Sequence, residues 1–175
     1  MNKQERFLKL YEPIHDRFER FCRARLYGHS SFMEHSDLMN DSLLIAYDKF
    51  ESLESEKAFL SFLFGIAIRI LSNHQKKKKE ERFISDDQMV MVASSSASDL
   101  NAELHFLYEA LNQLNLEQRE SIILFEISGF SIKEIAVLHQ TSESSVKQRL
   151  KRGREKLANI LAYNSINKEK EVQNG

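Results

Sequence analysis

The sequence is short of the residues that punctuate and cross-link a chain. Pro13 is its only proline, and it has five glycines in 175 residues. Folds built from many short strands need more turn residues than that. The scarcity, together with abundant Leu, Ile, Lys and Glu, predicts long helices. Cys22 is the one cysteine, which excludes an internal disulfide and fits a reducing compartment. Its apolar helical surroundings predict a small buried side chain. One cysteine and six scattered histidines argue against a metal site, and no cofactor is expected. The sequence has no Walker loop, no Gly-x-Gly-x-x-Gly and no nucleophile–base set, so it is not expected to be an enzyme.

Long apolar runs are missing too. The greasiest, Phe59 to Leu71, is thirteen residues long and contains Arg69, against the roughly 20 residues a membrane span requires. The opening MNKQERFLKLYE holds no uninterrupted apolar segment, so neither a signal peptide nor a membrane partner is expected. Apolar residues still make up 42% of the chain, enough for a core. The expectation is an all-α, cytoplasmic protein.

The net charge is −1, yet the charge is unevenly spread. From Met33 to Glu56 there are seven acids and one base; from Glu143 to Lys156 there are six bases and two acids. Opposite local fields on a nearly neutral chain suggest two different partner surfaces, or else ordinary patchiness.

Helical periodicity divides the chain into two halves. Phe7, Leu8, Leu10 and Tyr11 begin one helix, which breaks near Pro13. Ile14, Phe18, Phe21, Cys22 and Leu26 continue the pattern to a turn at Gly28–Ser31. A third helix spans about Ser36 to Phe50, with Leu38, Leu43, Leu44, Ala46, Tyr47 and Phe50 as its apolar set. A fourth runs from near Ser55 towards Arg82. Ser85 to Asp99 is acidic and Ser-rich and reads as a linker, with the island MVMV as a short strand or anchor at most. A helix from Asn101 to Leu114 follows, then one capped by Asn115 that closes at Gly129. The expected domains are residues 1–83 and 100–163, with a linker over 84–99 and a polar, frayed tail over 164–175.

The C-terminal half carries the sharpest signal. Ser131 and Glu134 form a capping box for a short helix through His139. After a break, Thr141 or Ser142 caps a longer helix to about Ala162. That is the layout of a helix-turn-helix. On a wheel of 100° per residue, Val146, Leu150, Gly153 and Leu157 cluster within about 40°, a seam that Gly153 keeps low for close packing. Ser144, Gln148, Lys151, Arg152 and Glu155 point the other way, flanked by Lys147 and Arg154 on one side and Arg149 and Lys156 on the other. Gln can pair with adenine, and Lys or Arg with guanine or phosphate. A solvated amphipathic helix would show the same wheel, but it would not explain the capped short helix before it. A second basic stripe, Ser61, Gly65, Arg69, Ser72 and Lys76, lies along the fourth helix and ends in Lys76–Lys79, with Phe62 and Asn73 at its edge.

In this order the parts resemble the bacterial RNA polymerase sigma factors of the extracytoplasmic-function (ECF) type. DLMNDSLLIAYDKF, Asp37 to Phe50, resembles that family's core-polymerase-binding helix. FLSFLFGIAIRILSNHQKKKK, Phe59 to Lys79, is similar to its minus-10 recognition helix. EQRESI at Glu117–Ile122, Ser-x-x-Glu-Ile-Ala at Ser131–Ala136 and VKQRLKRGREKL at Val146–Leu157 resemble its minus-35-reading domain. The resemblance implies a sigma factor that directs promoter-specific initiation, with core RNA polymerase, promoter DNA and an anti-sigma factor as partners. It implies Asp37, Asn40 and Asp41 as the core-polymerase contacts and Glu51–Lys57 as a loop capturing a flipped base. It implies Arg69, Ser72, Asn73 and Lys76 at minus 10. At minus 35 it implies Lys147, Gln148 and Lys151 on bases, with Ser144, Arg149, Arg152 and Arg154 around them. Phe62 stands where the family usually has Trp, and Arg69 where Asn is common. The alternative is a helix-turn-helix regulator that is not a polymerase subunit. It would leave the acidic helix and the second basic stripe unexplained.

Overall fold

The computed structural model describes residues 1–28, 33–84 and 102–173, with side chains as far as 77 in the first half and 163 in the second. Every regular element among them is helical, and the chain divides into two units, Met1–Ala93 and Ser94–Gly175. The all-α, two-domain expectation holds. The expected linker falls almost wholly outside the described residues, as do the MVMV island and most of the turn at Gly28–Ser31; Gly28 itself has φ 72°, the left-handed conformation glycine favours.

The first unit contains α1 (Lys3–Tyr11), α2 (His15–Leu26), α3 (His35–Asp48) and α4 (Phe59–Ile84). Asn2 and Glu5 close a capping box at the start of α1, with bonds of 2.8 and 3.0 Å. Pro13 stands in a short 3-10 turn, Glu12–Ile14, that separates α1 from α2, as its missing N–H dictates. Two more 3-10 turns, Phe50–Ser52 and Glu56–Ala58, connect α3 to α4.

Aromatic rings fill the core. Phe7 meets Tyr47, Phe50 and Phe59 edge-on at 5.3, 5.4 and 5.3 Å, while Phe64 meets Phe18 and Phe21 at 5.1 and 4.9 Å. Such pairs add about 0.5–1.5 kcal/mol each beyond area burial. Cys22 is buried among them, and desolvation pushes its thiol well above the ordinary range. It is a packing residue, as its surroundings implied. Leu44 departs from expectation: placed in the apolar set of α3, it is 65% exposed.

The second unit contains α5 (Ala102–Asn112), α6 (Leu116–Ile122), α7 (Ile132–Leu138) and α8 (Glu143–Gln173). Asn115 caps α6 through the Gln118 N–H at 2.9 Å. The expected single helix to Ser128 instead widens into a π turn, Ile123–Ile127. There the Ser128 N–H reaches back five residues to Ile123 O, and Gly129, at φ 66°, ends the run. The last helix is longer than expected. Nothing between Ala162 and Gln173 is glycine or proline, so no residue forces a stop, and α8 carries on to Gln173.

Near the start of α3, burial pushes His35 below the ordinary histidine value, with help from the Arg23 cation. A depressed histidine stabilises the fold above its unfolded pKa and loses that contribution as pH falls through the folded value. Calorimetric melting of the full chain should therefore drop as pH falls below the ordinary histidine value of about 6.5, and His35→Asn should flatten that drop. An equal drop in the variant would mean another group is responsible.

Candidate nucleic-acid interface

The turn between α7 and α8 sets the interface. Ser131 Oγ accepts the Glu134 N–H at 3.2 Å while Glu134 accepts the Ser131 N–H at 2.8 Å, the capping box read from the sequence. Ser142 rather than Thr141 caps α8, taking the Ser145 N–H at 3.1 Å. Between them Gln140 has φ 49°, a left-handed backbone that costs a non-glycine residue about 1–2 kcal/mol. The Thr141 N–H to Ala136 O bond, 2.9 Å, closes over it and holds the turn.

From that turn α8 packs against α5, α6 and α7. Val146 and Leu150 are 0% and 2% exposed, Gly153 is buried and Leu157 half-buried. A Cβ on Gly153 would lie 2.7 Å from Ile122 Cδ1 and 3.3 Å from Gln118 Cβ, so only glycine fits without a shift. Ser144, Lys147, Gln148, Lys151, Arg152, Glu155 and Lys156 are all exposed. Lys147, Lys151 and Arg152 make no ion pair among the described residues. They present unneutralised charge on one face.

Arg149 and Arg154 are placed differently, through tertiary contacts that no helical wheel shows. Arg149 bonds Glu117 at 3.1 Å and His139 Nδ1 at 3.4 Å. An arginine can only donate, so His139 Nδ1 is the acceptor in that contact, and its Nε2 lies 3.4 Å from Glu120 Oε2. This network ties α6, the turn and α8 together. Arg154 donates twice to Glu126 Oε1, at 2.8 and 2.6 Å, and lies over the Phe125 ring.

In the first unit, Phe59, Leu63, Phe64, Ala67 and Leu71 of α4 are buried, and Arg69, Ser72, Asn73 and Lys76 are exposed. Ser61, Phe62 and Gly65 are half-buried, so the open part of the stripe is its C-terminal half. The Lys78 and Lys79 side chains lie outside the described residues. Asp37, Asn40 and Asp41 are exposed on α3, and Asp37 also accepts the Glu34 N–H at 3.1 Å. Sequence reasoning missed the apolar part of this surface. Leu44 and Ile45 of α3 and Ile70 and His74 of α4 line a shallow cavity of about 360 Å³, together with Asp41 and Asn73. The spacing Asp37, Asp41, Leu44 already set that leucine on the acidic face. The expected base-capture loop, Glu51–Lys57, is braced by Arg6, which lies 3.7 Å from Glu51 and 3.6 Å from Glu56.

One grouping of the described residues has metal-ligand chemistry, His15, Asp16 and Glu19. It is committed elsewhere. His15 Nδ1 bonds Tyr11 Oη at 2.8 Å, and Glu19 accepts two N–H groups of Arg23 at 2.9 and 2.7 Å. That pairing holds the Glu19 carboxyl below its ordinary range.

Comparison with known proteins agrees with this geometry. Residues 107–157 match the family model of sigma-70, region 4, a span that runs from α5 to the end of the α8 seam. RNA polymerase sigma factor NccH of Alcaligenes xylosoxydans xylosoxydans is 26% identical over 138 residues, 74% of each chain. ECF RNA polymerase sigma factor EcfG of Rhodopseudomonas palustris (strain TIE-1) is 27% identical, over 71% of this chain and 70% of that one. The sigma factor RpoE of Bartonella quintana, solved with the anti-sigma factor NepR, superposes with a TM-score of 0.74 at 26% identity, covering 89% of this chain and 98% of that one. Together these matches support an extracytoplasmic-function sigma factor. The plain-regulator alternative falls, because NccH and RpoE match across both halves. Among the described residues of this sigma factor, no helix is long and apolar enough to cross a membrane.

Close approach at Gly153 yields a stability prediction. Gly153→Ala gains helix propensity of about 1 kcal/mol but forces Ile122 to move, an overpacking cost of about 1–3 kcal/mol. Urea denaturation should show Gly153→Ala costing more in the native background than in an Ile122→Val background, where the clashing methyl is gone. Additive effects would show that the contact is not the constraint.

Proposed function

We propose that this sigma factor docks on core RNA polymerase through α3 and reads promoter DNA with α4 and α8. One observation carries the reading of α8. Its buried seam, Val146, Leu150 and Gly153, fixes the opposite face outward, and that face holds Lys147, Gln148, Lys151 and Arg152. In this assignment Lys147, Gln148 and Lys151 contact minus-35 bases, with Ser144 beside them. Arg149, Arg152 and Arg154 are assigned to the phosphates. Arg69, Ser72, Asn73 and Lys76 hold the minus-10 segment.

Asp37, Asn40 and Asp41 are assigned to the polymerase contact. Their acidity, with Leu44 among them, suits a partner surface that is basic around an apolar centre. RpoE was solved with an anti-sigma factor, and we infer a partner of the same class here. The domain roles follow: residues 1–83 dock and read minus 10, 100–163 read minus 35, and 84–99 join them. The chain acts in the cytoplasm as a binding subunit, with no catalytic residue.

Native mass spectrometry with core polymerase should show a one-to-one complex, and run-off transcription should begin at defined sites; failure of both would end this reading. Lys151→Ala should weaken minus-35 binding by about 1–3 kcal/mol and relax preference at one position. An unchanged preference would remove Lys151 from the base-reading set.

A further inference from the structure

Arg154 stands where it could meet DNA and is held by an acid of its own chain. It lies about 80° around α8 from Val146, at the border between the seam and the exposed face. Its Nε and Nη2 both donate to Oε1 of Glu126, at 2.8 and 2.6 Å. The guanidinium carbon is 5.2 Å from the Phe125 ring centre. Neither partner is sequestered, since their side chains are 50% and 46% exposed. An exposed pair of this kind contributes little to folding. A phosphate offers the same guanidinium the same forked hydrogen bonding. The two anions therefore compete for one cation.

Arg149 is a different case. Its side chain is 21% exposed and bonds both Glu117 and His139, so it is tied to the turn and less open to solvent than Arg154 is. Lys147, Lys151 and Arg152 meet no internal competitor among the described residues. Glu126 is thus placed to change how many charges α8 offers to DNA without touching the residues that face bases.

We propose that Glu126 sets the DNA affinity of this sigma factor by competing with the phosphate backbone for Arg154. The inference rests on α8 being the minus-35 reader. Phosphate contacts carry no base information, so Glu126 lowers affinity for every sequence by a common factor and leaves preference to Gln148 and Lys151. It does so by withholding one counterion-releasing contact.

The test uses the full chain, a labelled minus-35 duplex and a scrambled duplex of equal length, with anisotropy titrations from 50 to 200 mM KCl. Glu126→Gln should bind both duplexes more tightly at low salt. Its log-affinity against log-salt slope should steepen by about 0.9, an extra loss of about 3.5-fold across that range. Glu103→Gln, at an exposed position of α5, controls for removal of one negative charge and should move the slope far less. Both variants should melt like the native chain. A Glu126→Gln slope equal to the native or the Glu103→Gln value overturns the proposal. So does weaker binding, which would mean that Glu126 presents Arg154 to the phosphate, and so does an altered ratio between the duplexes. A native chain that binds neither duplex at 50 mM would instead sink the reading of α8, and this inference with it.

Discussion

The rotational setting of α8 depends on one tight contact, the approach of Gly153 to Ile122. At 3.6 residues per turn, fixing Val146, Leu150 and Gly153 inward fixes every other side chain on the helix. A rotation by one residue would turn Lys147, Lys151 and Arg154 into the core and lift Val146 and Leu150 out. Losing those two apolar side chains would forfeit about 1.5–3 kcal/mol each. Burying unpaired cations would cost several kcal/mol more. Both terms act in the same direction, so the seam positions the exposed cationic face as firmly as direct contacts could. The Glu120–His139–Arg149–Glu117 chain then pins the turn to the same scaffold.

The first unit reaches the same division by a different packing. Phe7 inserts among Tyr47, Phe50 and Phe59, which fastens α1 beneath the connection between α3 and α4. Arg6 adds two longer ion pairs to that connection. The aromatic seam of α4 turns Arg69 and Lys76 outward, while α3, packed against it, exposes Asp37 and Asp41. Adjacent helices of one unit thus carry opposite charge. Each face repels charge of its own sign, which under the proposed assignment sorts a DNA strand and a basic protein surface to neighbouring sites. A chain of net charge −1 can do this because the sorting depends on local fields, not the total.

Features set by local chemistry were legible in the sequence. The Ser131–Glu134 box, the Asn115 cap, the break at Pro13 and the seam of α8 all depend on residues within a turn or two of one another. Features set by tertiary structure were hidden. Glu126 and Arg154 are 28 positions apart, and no helical wheel brings them together. Leu44 reads as core by residue type, yet its register with Asp37 and Asp41 puts it outside. The widened turn at Ile123–Ile127 leaves no mark in composition, because it arises from how the chain closes towards Gly129. Polar composition alone predicts a frayed tail beyond Ala162, yet with no breaker residue to supply a stop α8 continues to Gln173.

The exposed charge also bears on why two units are needed. Among the described residues, α8 offers four exposed cations with no ion pair, Lys147, Lys151, Arg152 and Lys156, and α4 offers Arg69, Lys76 and Lys77. In the proposed assignment, contacts so few leave either unit alone with weak binding at physiological ionic strength. Joining the units changes the arithmetic. The second binding event becomes intramolecular and proceeds at an effective concentration rather than the bulk one. Affinity then approaches a product of two weak terms, and it is high only where both DNA elements occur at a compatible spacing. Stronger cationic faces would give each unit useful affinity for DNA lacking the second element, and the gain from requiring both would shrink. Under the proposed assignment, modest charge on α4 and α8 therefore favours recognition of the paired site over either half.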